Sequence, residues 1–273
     1  MRASVIMKIS TKQHKKCLVE MLGLKLFSTD FGLLREAEKL FKENVFHYIE
    51  LYIIPGTFEE TAKIWQSCQI PYVIHAPHSE HGINLSLDSQ WGENRALFKE
   101  TQRFADLLGS EIIIVHGGHS GTLHETIRQI MLLKEDRICL ENKPKIGLNN
   151  ENCIGWSPDE FKRVSDAGAL NSGIVLDFGH AICAAFSLGR DYMELVNEFL
   201  LFKPRVFHLS DGNIASEKDC HLNIGRGNFK IADLLSVVPE NAYVTLETPR
   251  NNLSGINDFI KDISCIQLLV NRS

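Results

Sequence analysis

The sequence predicts an α/β protein that folds as one (β/α)8 (TIM) barrel, and three observations support this fold class. Short β-rich runs alternate with segments of helical periodicity throughout the 273 residues. Eight strand–helix units fit a chain of this length, and no low-complexity linker or shift of composition marks a second domain. No glycine-rich phosphate loop follows the first strand, which counts against the alternative fold, a doubly wound open sheet.

The strands are predicted from short apolar runs, rich in β-branched and aromatic residues. In chain order these runs are residues 22–27, 47–54, 71–75, 111–116, 137–141, 173–177, 205–209 and 242–247. Residues 1–20 lie outside this repeat and are predicted to form an extra N-terminal hairpin or a lid.

The segments between the strands have the periodicity of helices. Between the first two strands, apolar residues recur at positions 33, 34, 37, 40 and 41, which is the spacing of one helix face. After the fifth strand, Ser157 is a predicted N-cap, with Pro158 in the first helical position and Glu160 three residues after the cap. The remaining helices are predicted over residues 57–69, 89–109, 120–134, 190–202 and 254–271.

Composition narrows the class of protein. A net charge of −5 and a pI of about 6.1 give no overall basic surface for nucleic acid, although a local basic rim is compatible with them. Seven scattered cysteines without a CxxC pair predict reduced thiols, and with no secretory leader visible they predict a cytoplasmic protein. No stretch approaches the roughly 20 apolar residues that span a bilayer. The sequence carries no signal for an oligomeric state.

Imidazole and carboxylate side chains end, or closely follow, six of the predicted strands. Because the carboxyl ends of all strands meet at one mouth of a (β/α)8 barrel, these side chains are expected to lie together. Nine such groups exceed what one ion needs, so two or three divalent ions are predicted. The candidate ligands are His75, His116, Glu141, Asp177, His180, His208, Asp219, His221 and Glu247.

Each of these residues alone would more often be a hydrogen-bonded structural group than a ligand. Glu141 and Glu247, however, end runs that should be buried, where an unpaired carboxylate costs several kcal/mol. No lysine or arginine is obviously placed to neutralise all of these carboxylates. Asp177 and His180 are three residues apart, too far along an extended chain to bind one ion easily, and are expected to face different ions.

Seven motifs resemble, in the same order, those of endonuclease IV and the wider xylose isomerase-like barrel superfamily, across residues 70–250. They are HAP (75–77), HGG (116–118), EN (141–142), LDFGH (176–180), HLSD (208–211), DCHLNIGRGN (219–228) and LETP (246–249).

The resemblance implies three zinc ions at the barrel mouth. It places His75, His116 and Glu141 on the first ion. It places Asp177, His208 and Glu247 on the second, with Glu141 bridging the two. It places His180, Asp219 and His221 on the third. The second site, with its three carboxylates, would also accept Mn²⁺.

The same resemblance implies two chemistries. One is cleavage of the phosphodiester 5′ to an abasic site in DNA, expected first because all nine ligands are present. The alternative is isomerisation or epimerisation of a sugar or sugar phosphate on one ion, with proton transfer between adjacent carbons. Glu141 and Glu247 are the candidate catalytic residues. A barrel that stores or senses zinc is a third, non-enzymatic possibility.

Departures from the family pattern bear on the substrate. His78 stands where the repair enzymes usually carry tyrosine, and the run ENKP is more similar to the sugar isomerases. Arg226 stands where the family more often has glutamate. The predicted substrate-binding residues are His78, Lys143, Arg226 and Arg250, and His81, His119 and Lys145 are further rim candidates.

Overall fold

The computed structural model describes residues 19–271. Eight parallel strands pair in sequence order, and the eighth closes onto the first, so the predicted (β/α)8 barrel is confirmed and an open sheet is excluded. Apart from its last two positions, the N-terminal segment 1–20 predicted as a hairpin or lid lies outside the described residues.

The strands coincide with the predicted apolar runs to within two residues at each end. They are β1 Met21–Phe27, β2 Tyr48–Tyr52, β3 Tyr72–His75, β4 Ile113–His116, β5 Ile138–Glu141, β6 Ile174–Asp177, β7 Val206–Leu209 and β8 Tyr243–Leu246.

The helices lie outside the barrel, and the five that were predicted with both bounds are one to three residues shorter at each end. They are α1 Leu34–Lys42, α2 Phe58–Gln66, α3 Trp91–Leu108, α4 Leu123–Leu133, α5 Pro158–Asp166, α6 Phe178–Leu188, α7 Tyr192–Leu200, α8 Ile231–Ser236 and α9 Asn257–Val270. The predicted start of α5 is confirmed, because the Ser157 hydroxyl accepts a hydrogen bond from the backbone N–H of Glu160.

One long helix is absent from the sequence prediction. The run Phe178–Leu188 forms α6, in which every residue from Phe178 to Ala185 is buried. Such a helix is apolar on all sides and has no polar face, so its sequence lacks the periodicity that marks an amphipathic helix. This helix matters for function because it begins directly after Asp177.

The interior of the barrel is packed with apolar side chains towards the amino ends of its strands. These inward-facing residues are Tyr48, Val73, Ile112, Ile114, Cys139, Val175 and Val206. The Tyr48 ring packs against Gly23, and a Cβ added at Gly23 would lie 2.3 Å from that ring, so this close contact requires glycine. This packed layer fills the barrel at the amino ends of the strands. The barrel is therefore open only at the carboxyl ends of the strands, which form its mouth.

None of the helices between residues 19 and 271 combines the length and the apolarity required to cross a bilayer. The six cysteines in this range are free thiols, of which four are buried.

Candidate metal centre

A cavity of about 730 Å³ occupies the mouth of the barrel. Six of the nine predicted ligands line it, and the other three, Glu141, Asp177 and His208, are completely buried just beneath. The strand ends therefore converge as the barrel topology requires. The ligand atoms fall into three neighbouring groups, and within each group they lie within 4.8 Å of one another.

The first group consists of His75, His116 and Glu141. Glu141 Oε2 lies 3.0 Å from His116 Nε2 and 3.3 Å from His75 Nε2. The carbonyl oxygen of Ala76 accepts a hydrogen bond from His75 Nδ1 at 2.8 Å. That bond keeps the proton on Nδ1 and leaves the Nε2 lone pair facing the mouth, as a metal-ligating histidine requires.

The second group consists of Glu141, Asp177, His208 and Glu247, all buried. His208 Nδ1 lies 3.1 Å from Glu247 Oε1 and 3.5 Å from Glu141 Oε2. Three carboxylates and one imidazole form a ligand set that suits Zn²⁺ or Mn²⁺. Glu141 belongs to the first and second groups and is positioned to bridge two ions.

The third group consists of Asp177, His180, Asp219 and His221. Asp219 Oδ2 lies 2.8 Å from His221 Nε2 and 3.6 Å from His180 Nε2. His180 Nδ1 donates to the backbone carbonyl of Asn142 at 2.8 Å, which directs Nε2 towards the aspartate.

Asp177 and His180 are closer together than the sequence argument assumed. The chain is not extended between them: Asp177 is the N-cap of α6, and its Oδ1 accepts from the backbone N–H of His180 at 2.7 Å. The first helical turn brings both side chains into the third group, while Asp177 also belongs to the second. The assumption of an extended chain between them is therefore wrong, whereas the expectation that the two residues face different ions stays a prediction.

Hydrogen bonding within this cluster is incomplete. Among the described residues, eleven buried side-chain nitrogen or oxygen atoms have no hydrogen-bond partner. Four of them belong to predicted ligands, and their short contacts with neighbouring rings and carboxylates lack hydrogen-bond geometry: Glu141 Oε1, Asp177 Oδ2, His208 Nδ1 and Asp219 Oδ2. Each unpaired buried polar atom costs about 1–3 kcal/mol, more when charged. Bound cations would satisfy these atoms, so the residues present fit divalent metal ions.

The protonation states point the same way. Burial alone would raise the pKa of Glu141, but the imidazoles of His116 and His208 hold it well below its usual range. Burial lowers the pKa of His75 and of His116, so both imidazoles are neutral, the form that binds metals. His208 differs, because the carboxylates of Glu50 and Glu141 outweigh its burial and raise its pKa to about 9.

The loop that carries Asp219 and His221 is held by a buried carboxylate of the HLSD motif. Asp211 Oδ2 accepts hydrogen bonds from the backbone N–H groups of Gly225 and Gly227, both at 2.9 Å. An added Cβ at Gly227 would lie 2.2 Å from a backbone oxygen of Gly212, so this close approach requires glycine. The motifs HLSD and DCHLNIGRGN thus contain predicted ligands of the third group and also Asp211, Gly225 and Gly227, which hold the loop that carries those ligands.

Comparison with known proteins places this architecture in a family. Residues 39–267 match the sequence profile described as xylose isomerase-like TIM barrel. The chain belongs to this family.

The chain is similar to several known proteins. A probable endonuclease 4 of Metamycoplasma arthritidis is 28% identical over 221 residues, which cover 70% of this chain and 75% of that protein. The fold is shared with endonuclease IV from Thermus thermophilus, at a TM-score of 0.67, 18% identity and coverage of 93% and 100% of the two chains. The fold is shared to the same extent with a D-tagatose 3-epimerase-like protein, at a TM-score of 0.66 and 20% identity. That match covers 91% of this chain and 98% of the other.

Two of the four predicted substrate-binding residues of this xylose isomerase-like protein lie in the mouth without a carboxylate partner among the described residues. His78 lines the cavity and stacks on His116, with ring centroids 5.2 Å apart and planes 6° apart. Lys143 also lines the cavity, and its Nζ lies 3.5 Å from His180 Nε2. Both can reach a ligand that occupies the mouth.

The other two predicted substrate-binding residues are placed differently. Arg250 lines the cavity but forms an ion pair with Asp30, and its buried Nη1 has no hydrogen-bond partner among the described residues. Arg226 is exposed and is not among the residues that line the cavity; it lies in a turn in which its backbone N–H donates to the carbonyl of Asn223. The fold therefore does not bring Arg226 into the mouth.

The three further rim candidates also differ from one another. His119 lines the cavity. His81 Nδ1 is hydrogen-bonded to the hydroxyl of Tyr52 at 2.9 Å, and Lys145 lies over the ring of Trp156. Of these three, only His119 is a lining residue.

Two charged residues of the centre were missed by the sequence analysis. Lys25 lies in β1 and Glu50 in β2, next to each other in the strand register. The Lys25 ammonium forms an ion pair with Glu247 and lies 3.1 Å from Glu50 Oε1. Lys25 thus supplies a cation for Glu247 that the sequence analysis did not find. A charge inside each apolar run, in LGLKLF and HYIELYII, was the available signal.

Proposed function

We propose that this protein is a metal-dependent phosphodiester hydrolase of the endonuclease IV type that acts at abasic sites in DNA. The observation that carries the proposal is the convergence of all nine predicted ligands into three adjoining groups beneath one cavity. A sugar isomerase needs one ion, whereas three adjoining ions suit a reaction in which charge develops on several phosphate oxygens.

Divalent ions in these groups would neutralise phosphate charge and make a water molecule more acidic. Glu141 is central to this arrangement, because its Oε2 faces the first and second groups and its Oε1 lies 3.2 Å from His180 Nδ1. It would orient the attacking water, whose proton would pass to solvent once bound ions made it more acidic. Lys143, which has no carboxylate partner among the described residues, would contact the phosphate.

The position of the centre determines which part of DNA could react. The second group is completely buried except for the slightly exposed Glu247, so the phosphate must enter the cavity to reach it. An intact duplex cannot place its backbone at that depth, but a nucleotide turned out of the stack can. An abasic nucleotide has no base to unstack and would enter at the lowest cost.

A second function, isomerisation or epimerisation of a sugar or sugar phosphate, is favoured by one observation. The four ligands of the second group form a complete one-ion site, and the Lys25 ammonium holds Glu247 beside it. In this reaction Glu141 and Glu247 would transfer a proton between adjacent carbons. Zinc storage without catalysis is disfavoured, because the centre opens onto a cavity large enough for a substrate.

One experiment separates these functions. The zinc-loaded protein is incubated with an end-labelled duplex that carries a single tetrahydrofuran abasic analogue, and with a panel of ketoses and ketose phosphates. We expect one nick 5′ to the analogue and no ketose interconversion. An intact duplex together with ketose interconversion would reject the nuclease in favour of the isomerase.

Matched glutamate variants assign the activity to the centre. Glu141→Gln should abolish the nick, because the neutral amide cannot act as an anionic ligand shared by two groups. Glu59→Gln is the control: Glu59 is an exposed partner of Arg103 on α2, away from the mouth, and its loss should leave cleavage unchanged. Equal cleavage by wild type and Glu141→Gln would show that a contaminating nuclease makes the nick.

A further inference from the structure

Glu50 and Lys25 have no place in the predicted ligand set, yet both point into the barrel beside it. Glu50 is completely buried, and the Lys25 side chain is 20% exposed at the cavity floor. A buried glutamate is costly unless its oxygens are paired, and a charged residue inside a barrel strand therefore calls for a structural or functional reason.

Glu50 Oε2 is bound by two neighbours. It lies 2.9 Å from His208 Nε2 and accepts a hydrogen bond from the Thr245 hydroxyl at 2.6 Å. Tyr48 extends the chain of bonds, with its hydroxyl 2.7 Å from that of Thr245. These contacts join β2, β7 and β8 in one polar layer directly below the second group.

The bond to His208 determines which ring nitrogen faces the ligands. A carboxylate oxygen only accepts, so His208 Nε2 carries the hydrogen and donates it to Glu50. With Nε2 committed to Glu50, Nδ1 is the ring atom left to bind a cation, and it lies 3.1, 3.5 and 3.9 Å from carboxylate oxygens of Glu247, Glu141 and Asp177. A carboxylate bound to the far nitrogen of a metal-ligating histidine fixes the ring and strengthens it as a ligand.

Lys25 connects the same carboxylate to a ligand of the second group. Its ammonium lies between Glu50 and Glu247, where it neutralises charge on both. Glu50, His75 and Glu247 would by themselves have the geometry of a further cation site. Lys25 fills that position with a cation of the chain itself, so a fourth metal ion is not required there.

We propose that Glu50 and Lys25 are positioning residues for the second metal ion. Glu50 holds His208 with Nδ1 directed at the ion, and Lys25 holds Glu247 beside it while balancing the charge of Glu50. This proposal rests on the metal centre of the proposed function but not on which substrate that centre cleaves or isomerises.

The first test is a Co²⁺ titration followed by the visible absorption of the bound ion and by calorimetry. Glu50→Gln should weaken one class of Co²⁺ site by about 10–100-fold, the usual effect of losing such an outer partner, and change its absorption band. Lys25→Met should weaken the same class of site, and Lys25→Arg should restore it in part.

Glu135→Gln is the matched control. Glu135 is a largely buried carboxylate, paired with Arg137 at 2.7 Å at the opposite end of β5, and its removal should leave cobalt binding unchanged. Wild-type cobalt affinity and spectrum in both Glu50→Gln and Lys25→Met would overturn the proposal. If the wild type binds cobalt as expected but does not cut DNA, only the nuclease function fails.

A second measurement needs no variant of Glu50. In protein labelled with ¹⁵N-histidine and loaded with zinc, the signals missing in His208→Gln identify the His208 ring. We expect its hydrogen on Nε2 and its metal-shifted nitrogen to be Nδ1. The opposite tautomer would overturn the proposal even if every Glu50 variant failed to fold.

Discussion

Replacing Glu141 by glutamine removes the one carboxylate that belongs to both the first and the second ligand group. The side chain keeps its size, but its neutral amide can no longer be shared by the cation of the first group, beside His75 and His116, and that of the second, beside His208. An ion at one hundred times its Kd stabilises a folded protein by about 2.7 kcal/mol, so loss of two ions removes about 5 kcal/mol. In a domain of this size about 5 kcal/mol corresponds to roughly 10–20 °C in Tm.

Scanning calorimetry measures this effect directly. Protein stripped with a chelator is scanned with and without zinc, as wild type, Glu141→Gln and the control Glu59→Gln. We expect zinc to raise the Tm of the wild type and of the control alike, and the rise in Glu141→Gln to be smaller by about 10–20 °C. A full zinc-dependent rise in Glu141→Gln would refute the bridging role of this carboxylate.

Three further predictions test the surroundings of the centre. Lys143→Ala should raise the KM for the abasic duplex with little effect on stability, whereas Arg226→Ala should leave the KM unchanged; equal effects in a steady-state assay would contradict the placement of these two residues. Ser157→Ala should lower the free energy of unfolding by about 0.5–2 kcal/mol in urea, because α5 loses its N-cap. Hydrogen bonds from Arg137 hold the pKa of Glu135 below its usual value, so the pair stabilises the protein above about pH 4.3 and this contribution is lost as the pH falls further. The stability difference between wild type and Glu135→Gln should therefore narrow below about pH 4.3, and a difference that stays constant to about pH 3 would contradict this assignment.

The sequence was sufficient for the barrel and for the side chains that meet at its mouth, because both depend on where strands end. Apolar runs locate the strands, and closure of a parallel barrel brings their carboxyl ends together whatever the details of packing. His75, Glu141 and Asp177 are the last residues of their strands, so their convergence follows from topology alone.

The remaining features depend on geometry that periodicity does not encode. Lys25 and Glu50 lie within strands, where only the packed barrel shows that both side chains point inwards to meet His208 and Glu247. The proximity of Asp177 to His180 could be predicted only by knowing that α6 begins immediately after Asp177. The part of α6 from Phe178 to Ala185 is buried on all sides and therefore lacks a polar face.

Loop residues were the least predictable part of the site. Arg226 lies only five residues after the predicted ligand His221 in the sequence. The Asp211 carboxylate holds this turn by accepting a hydrogen bond from the backbone N–H of Gly225, and Arg226 lies at the surface of the turn. Arg250 lies beside the mouth, but Asp30 from the β1–α1 loop binds its guanidinium. Asp30 cannot be identified from the sequence around Arg250, because it lies 220 residues earlier in the chain, and the contacts of Asp211 with the turn span 14 and 16 residues.

The most direct test of the account is anomalous diffraction at the zinc edge from crystals of the zinc-loaded protein. We expect two or three peaks between the ligand groups, with Glu141 bound to two of the ions and His208 bound through Nδ1. Peaks only at surface histidines, or none within about 3 Å of Glu141, would contradict a metal centre at the mouth of this barrel.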